Sequence, residues 1–211
     1  TGKELVNGYC VEYHKTVHGV LGEDGVLFAR SGFTGSQAFP GCWAGDNEPN
    51  FGEQNGLPSV IVAGLSAAMS GFSIWGHDVG GYQNSHFSSV SPADLFMRWT
   101  QFGCFSPIMQ MHRQVDGTNL RQYPWGYPEA GETTASNRAL DNYRFYATLH
   151  TRLFPYIYTY AKQSSDTGLP ILRPLVLIHP DDPRTIPVSH TYYFGGDLLV
   201  APVIKPGAND R

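Results

Sequence analysis

Four residues able to do acid–base or polar chemistry each stand just past a short apolar run. Arg30 follows Val26-Leu27-Phe28-Ala29, and Asp46 follows Cys42-Trp43-Ala44 across one glycine. Asp78 closes the stretch from Phe72 through Trp75 and His77, and His112 follows the run from Phe105 to Met111. If those runs are strands, each side chain is held by a rigid element and faces an open loop, the usual place for a catalytic or binding group. Asp46 in that setting suits a general acid. The triplet Gly45-Asp46-Asn47 is also ordinary turn chemistry, and Asp78 has an Asx-type turn brace as its alternative role. Gly80-Gly81 beyond Asp78 would let a backbone or a ligand approach closely. Arg30 must meet a carboxylate, either as structure or to orient a catalytic group, because an unpaired guanidinium at the end of a buried run is costly. His112 is either a hydrogen-bonded core histidine or a ligand contact. Trp43, Trp75 and Tyr82 could form an aromatic lining of the kind that binds sugar faces, with core packing as the alternative for each.

Other chemistries lack a pattern. His14 and His18 share a helix face, but no H-x-H, H-E-x-x-H or paired-cysteine spacing occurs, so no metal site is expected. No G-x-S-x-G marks a serine nucleophile. The glycines from Gly76 to Gly81 lack the G-x-G-x-x-G spacing, and no helix is expected right after them, which argues against a dinucleotide; no cofactor is expected. The 211 residues include 14 Lys+Arg and 18 Asp+Glu, a net charge of −4 without a basic run, so nucleic acid is not an expected partner. The longest near-apolar stretch, Val60 to Met69, is about half of the ~20 residues a membrane span needs. Three cysteines, Cys10, Cys42 and Cys104, cannot all pair within the chain, and each reads as a small buried hydrophobe. With 41% hydrophobic, 13% aromatic and 15% charged residues the chain is globular rather than disordered, and 24 Gly with 15 Pro make it loop-rich.

The elements needed to position those groups alternate. Apolar residues from Leu5 to Leu21 recur at helical spacing and stop at Gly22, ahead of the first apolar run. A helix over Leu57 to Met69, apolar on nearly every side, reads as buried between a sheet and other helices. Ser91 as N-cap, Pro92 at N1 and Asp94 at N3 open a helix carrying Leu95, Phe96, Trp99 and Phe102. A long helical pattern runs from about Ser136 to Lys162, with Pro155 expected to bend it. Strands followed by helices predict an α/β fold with parallel strands, better matched by a barrel than by a doubly wound sheet, with Arg30, Asp46, His77, Asp78 and His112 on its active face. Only four such units are visible, where a closed barrel needs eight. After Asp181-Asp182-Pro183-Arg184 the pattern changes to two short strands, around Tyr192 and Leu199, which suggests a barrel part over 1–180 and the start of a β domain over 181–211.

The runs Leu27-Phe28-Ala29-Arg30-Ser31-Gly32, Pro40-Gly41-Cys42-Trp43-Ala44-Gly45-Asp46-Asn47, His77-Asp78-Val79-Gly80-Gly81-Tyr82, Arg98-Trp99 and Leu153-Phe154-Pro155-Tyr156 resemble glycoside hydrolase family 31 in order and spacing. Ile171-Leu172-Arg173-Pro174, Asp181-Asp182-Pro183-Arg184 and Gly196-Asp197-Leu198-Leu199-Val200-Ala201-Pro202 continue the resemblance toward the end of the chain. It implies a retaining α-glycosidase on a (β/α)8 barrel flanked by β domains, without a metal, and makes the four strands barrel strands five to eight. By the same resemblance Asp46 matches the general acid/base, Arg30 an arginine near nucleophile and sugar, Trp43 a wall of that subsite, Asp78 an aspartate lining it and His112 a histidine that hydrogen-bonds sugar hydroxyls. Tyr82 would join the substrate contacts. Two features depart from the family pattern. Gln110-Met111-His112 stands where the family often has Arg-x-His, and the nucleophilic aspartate of an Asp-Phe-Gly-Glu-like motif does not occur.

The expectation is therefore a C-terminal fragment whose nucleophile lies upstream of Thr1, inactive alone, whose partners are an oligosaccharide or α-glycoside substrate and an N-terminal half of the same enzyme. The alternatives are a non-catalytic sugar-binding or barrel-partner chain, a transglycosylase or sulfoquinovosidase of the same family, and a metal-dependent barrel hydrolase.

Overall fold

The computed structural model describes residues 2–39, 41–82, 92–112, 123–127 and 137–208. Helix α1 (Gly2–Leu21) leads into strand β1 (Phe28–Ala29), followed by β2 (Gly41–Trp43), helix α2 (Leu57–Met69) and β3 (Trp75–Asp78). Helix α3 (Ala93–Cys104), strand β4 (Ile108–Gln110) and helices α4 (Arg138–Arg152) and α5 (Phe154–Thr167) come next. Strand β5 (Leu172–Pro174), the one-turn helix α6 (Leu175–Ile178), β6 (Tyr192–Phe194) and β7 (Leu198–Val200) complete the described chain.

Strands β1 to β4 form one parallel sheet in sequence order, with Ala29 opposite Cys42, Trp43 opposite Gly76 and Asp78 opposite Gln110. Because the strands are parallel, their C-terminal ends share one edge, and Arg30, Asp46, Asp78 and His112 follow or close those ends. Strands β5, β6 and β7 form a separate antiparallel sheet, which begins at Leu172.

The helices obey their apolar spacing, with three differences from expectation. In α2 the buried residues Leu57, Val60, Ile61, Gly64, Leu65 and Ala68 make one stripe, while Val62 and Met69 are exposed. The helix is thus covered on one face, not all round. For α3 the N-cap is Pro92, at φ −61° and ψ 146°, and Asp94 sits one position earlier in the helix than expected. Ser91, like Pro40 and Ser136, lies outside the described residues. Asp94 there holds Arg98 at 3.3 Å and accepts from the backbone N of Gly207 at 2.9 Å, so it also ties the chain's far end to α3. The long helical pattern is divided at Leu153 into α4 and α5, since Pro155 lacks the N–H that a continuous helix would use. Asn137, as N-cap of α4, accepts from the backbone N of Ala139 and Leu140.

One core joins both sheets. Trp99, Phe96, Phe102 and Leu95 of α3 pack with Leu57 and Ile61 of α2, and with Leu172, Tyr192 and Phe194 of the antiparallel sheet. Polar bonds cross the same seam: the Tyr192 hydroxyl donates to the Phe105 carbonyl at 2.8 Å, and the Tyr156 hydroxyl to that of Phe194 at 2.7 Å. Outside this core, α1 leaves Leu5, Val6, Tyr9, Val20 and Leu21 exposed, and among the described residues β1 is an edge strand paired only with β2. No helix of the described residues is long and apolar enough to cross a membrane. All three cysteines are free, with Cys104 buried and Cys10 and Cys42 half-buried.

Candidate active site

Gly45, at φ +88°, turns the chain just after β2 and sends Asp46 back toward β1. There Arg30 Nη1 meets Asp46 Oδ1 at 3.2 Å. Arg30 therefore does have a carboxylate partner, but it is 58% exposed rather than buried, so the pair is open to a ligand. An exposed pair of this kind contributes about 0–1 kcal/mol to stability, and its value lies in orientation. Asn55 Nδ2 donates to the Asp46 carbonyl at 3.2 Å and fixes the loop from behind.

Trp43 is the hub. The Arg30 guanidinium lies 5.7 Å from its ring centre, Tyr82 meets it edge-on at 6.0 Å and His112 at 6.1 Å. Tyr82 and His112 are 5.1 Å apart. The Trp43 indole N–H donates to Asp78 Oδ2 at 3.1 Å, and Gln110 Nε2 donates to Asp78 Oδ1 at 2.8 Å. All six expected site residues, Arg30, Trp43, Asp46, Asp78, Tyr82 and His112, are thus brought together, with Asp78 the most deeply placed at 1% exposure. Burial pushes the Asp78 carboxyl up to about 6, against the bonds from Gln110 and Trp43 and the charge of His112, which favour the carboxylate, and with the charge of Asp46, which opposes it.

His77, expected at the active face, and Trp75, a candidate for the aromatic lining, belong elsewhere. Side chains alternate along a strand, so His77 points opposite to Asp78. Trp99 Nε1 donates to His77 Nδ1 at 3.0 Å, and the other ring nitrogen, Nε2, is 3.1 Å from Ser106 Oγ, which itself donates to the Phe102 carbonyl at 3.0 Å. The indole can only donate, so Nδ1 accepts and the proton sits on Nε2. His77 is a fully satisfied neutral core group, and burial lowers its pKa to about 3. Trp75 lies on the same helix-facing side as His77, buried within the shared core near Gly64 of α2, and is not part of the aromatic lining. Gln110, which the sequence marks only as a departure from the family pattern, joins the site as a partner of Asp78. Its signal is its position two residues before His112, which acquires meaning only once the register sets it opposite Asp78.

Gly81, at φ +85°, explains the close approach expected after Asp78: a Cβ there would stand 2.9 Å from the Pro49 nitrogen and 3.0 Å from the Glu48 carbonyl carbon. What comes close is the loop carrying Asp46, tied further by the Tyr82 N–H to the Asn47 carbonyl at 2.9 Å. Gly81→Ala should therefore cost about 1–3 kcal/mol from backbone strain alone and displace that loop. A melting temperature lowered together with turnover checks this; lowered stability with unchanged turnover would separate Gly81 from the site.

His14 and His18 both meet Phe39 edge-on, at ring separations of 5.5 Å, and no group of three metal-ligating side chains occurs among the described residues. A groove of about 380 Å³ runs beside the Arg30–Trp43 pair, between α1 and β1, lined by Tyr9, Cys10, Tyr13 and His14.

The family model described as the glycosyl hydrolases family 31 TIM-barrel domain matches residues 1–160, and that of the family 31 C-terminal domain matches residues 168–211. The isomaltosyltransferase of Sporosarcina globispora is 35% identical over all of this chain, which covers 19% of that protein. The 1,3-alpha-isomaltosidase of Kribbella flavida is 35% identical over 98% of this chain and 28% of its own length. The cycloalternan-degrading enzyme from Trueperella pyogenes, solved with a covalent intermediate, superimposes at a TM-score of 0.85 with 34% identity, over 98% of this chain and 28% of that one. The chain spans about a fifth to under a third of the length of these proteins. Matched by the barrel-domain model over most of its length and by the C-terminal-domain model over most of the rest, the chain belongs to glycoside hydrolase family 31.

Proposed function

We propose that this chain supplies the acid/base half of a retaining α-glycosidase acting on α-glucosides or related α-glycosides. The observation that carries the reading is the Arg30–Asp46 pair, held at 3.2 Å beyond the ends of adjacent parallel strands and walled by Trp43. Asp46 protonates the glycosidic oxygen as the bond from C1 breaks. A second carboxylate, carried outside these residues, takes C1 and forms the glycosyl-enzyme; Asp46 then removes the proton of the incoming water, or of a sugar hydroxyl in a transglycosylation. Retention requires the two carboxyl groups about 5 to 5.5 Å apart. The covalent intermediate of the Trueperella pyogenes enzyme supports a two-step course. Trp43, Tyr82 and His112 form the sugar pocket, with the Asp78 carboxylate buried behind Trp43.

On this reading β1 to β4 are barrel strands five to eight, with the division into barrel part and β domain near 181 and β5 crossing it by pairing with β6. The partner is an N-terminal half that carries the nucleophile. The exposed apolar residues of α1 support this, as does the outer edge of β1, which has no strand partner among the described residues, because parallel sheets normally have both faces covered and their edges protected.

The test is expression of residues 1–211 alone and together with such a half, with the anomer of the first product followed by NMR. Soluble co-purification and release of the α-anomer are expected from the pair only. Turnover by the chain alone, or a β-anomer, would overturn the reading. In the active pair, His112→Ala should reduce kcat/KM about 2- to 12-fold, the worth of one neutral hydrogen bond. A lower melting temperature with unchanged kinetics would make His112 a structural group.

A further inference from the structure

Three adjacent strands each give one side chain to a single bracket centred on the buried Asp78. Asp78 at the end of β3 takes the Trp43 indole N–H from β2 on one carboxylate oxygen and the Gln110 amide N–H from β4 on the other, at 3.1 Å and 2.8 Å. Asp78 is 1% exposed, with each oxygen engaged, so it is poorly placed to meet a sugar itself. Trp43, by contrast, is in ring contact with Tyr82 and His112 and lies beneath Arg30.

We propose that Asp78 and Gln110 are positioning residues, which fix the Trp43 indole and through it the Tyr82–His112 pair as the rigid wall of the sugar pocket. The proposal rests on the glycosidase reading for what the wall binds, but not for the bracket itself. An indole has few rotamers, and an acceptor on its only polar atom selects one of them. Both donors to Asp78 are neutral, and among the described residues no fixed cation holds the carboxylate charged. Among the described residues the charged and titratable groups facing it are His112, beyond β4, which favours the carboxylate, and Asp46, beyond β2 and itself paired with Arg30, which opposes it. Burial outweighs the favourable contacts, and the carboxyl titrates at about 6.

Protonation then changes the bracket's polarity. A neutral carboxyl carries an O–H that needs an acceptor, and the indole cannot become one. Gln110 can, by turning its amide to present Oε1. The bracket loosens without collapsing, so substrate binding weakens as pH falls through about 6 while the bond-breaking step, governed by Asp46, keeps its own profile.

The experiment uses the complete enzyme, an aryl α-glucoside, and two readouts between pH 4.5 and 8: KM with kcat, and the indole N–H resonance of Trp43, assigned by its loss in Trp43→Phe. The wild-type resonance should titrate with a midpoint near 6 and KM should rise below it. Gln110→Met removes one donor, moves both midpoints upward together, and raises KM about 10-fold at mildly acidic pH with a smaller change in kcat. Asp78→Asn, with the Gln110 amide turned to accept from it, abolishes both inflections. A wild-type indole resonance that does not titrate, or one that titrates unchanged in Asp78→Asn, overturns the proposal. So does a folded Gln110→Met enzyme with the wild-type midpoint; should that variant not fold, the wild-type and Asp78→Asn titrations decide. Failure of the glycosidase reading shows up separately, as absence of turnover in the wild type, and leaves the resonance readout intact.

Discussion

Asp46→Ala in the complete enzyme should lower turnover of an α-glycoside with a poor leaving group about 10²- to 10⁴-fold, the usual worth of general acid assistance. For an activated aryl glycoside the first step should lose far less, because a good leaving group departs without a proton. With Asp46 as the base on the proposed reading, deglycosylation then limits the rate, so a burst of aglycone should precede slow turnover, and azide should partly restore the second step by attacking without base help. Asp46→Asn should behave alike on poor leaving groups. Arg30→Ala should lower turnover while changing the melting temperature little, because the pair at 3.2 Å is exposed on the arginine side and stabilises weakly. Equal losses for good and poor leaving groups would remove Asp46 from the acid role. Retained activity in Asp46→Ala would remove the whole assignment.

That the positions of Asp46 and Arg30 at strand ends are legible in the sequence, while the placements of Gln110 and His77 are not, has one physical origin. A strand end is a local event, marked by an apolar run meeting a glycine or polar residue, so the residues following β1, β2 and β4 are visible one by one. Helix α2 is similarly legible, since Pro58 in its first turn and Gly71 after its end punctuate a continuous apolar stretch. Which face a strand residue takes depends on the parity of the register, and His77 and Asp78, as neighbours, must point opposite ways. Nothing in the pair His77-Asp78 says which faces the helices; the α3 residues Trp99 and Phe102 settle it. Gln110 is less legible still, because its partner lies 32 positions away on the adjoining strand. Strand β5 is not legible as a strand, because Leu172-Arg173-Pro174 carries a charge and a proline. The structure accommodates the arginine by giving its guanidinium the Pro170 carbonyl, the Gln163 amide oxygen and the face of Tyr160. The missing outer cover on α2 follows from the same limit: an apolar residue such as Val62 signals that burial is possible, not that a neighbour exists to provide it.

His77 and Asp78, adjacent on β3 and both buried, should tilt the pH dependence of stability in opposite directions. The folded His77 titrates at about 3 against an ordinary 6.5, so folding favours its neutral form; the stability it contributes is present above 6.5 and is lost as pH falls toward 3. The folded Asp78 titrates at about 6 against an ordinary 3.8, so folding favours its protonated form; that contribution is present below 3.8 and is lost as pH rises through 6. At 1.36 kcal/mol per pKa unit the full swings are about 5 and about 3 kcal/mol. Between about pH 4 and 6 the two slopes oppose each other, and the pair contributes a nearly flat profile. Asp78→Asn should remove one of them. The variant should match the wild-type trend below about pH 4, gain on it as pH rises, and hold an advantage of up to about 3 kcal/mol above pH 6, at the expense of steeper acid destabilisation driven by His77. Thermal midpoints of the two proteins, measured at half-unit steps from pH 4 to 8, give the difference curve directly, because groups common to both cancel. A difference that stays constant across the range would mean that Asp78 keeps an ordinary carboxyl pKa in the fold, and that the bracket of Trp43 and Gln110 compensates its burial completely.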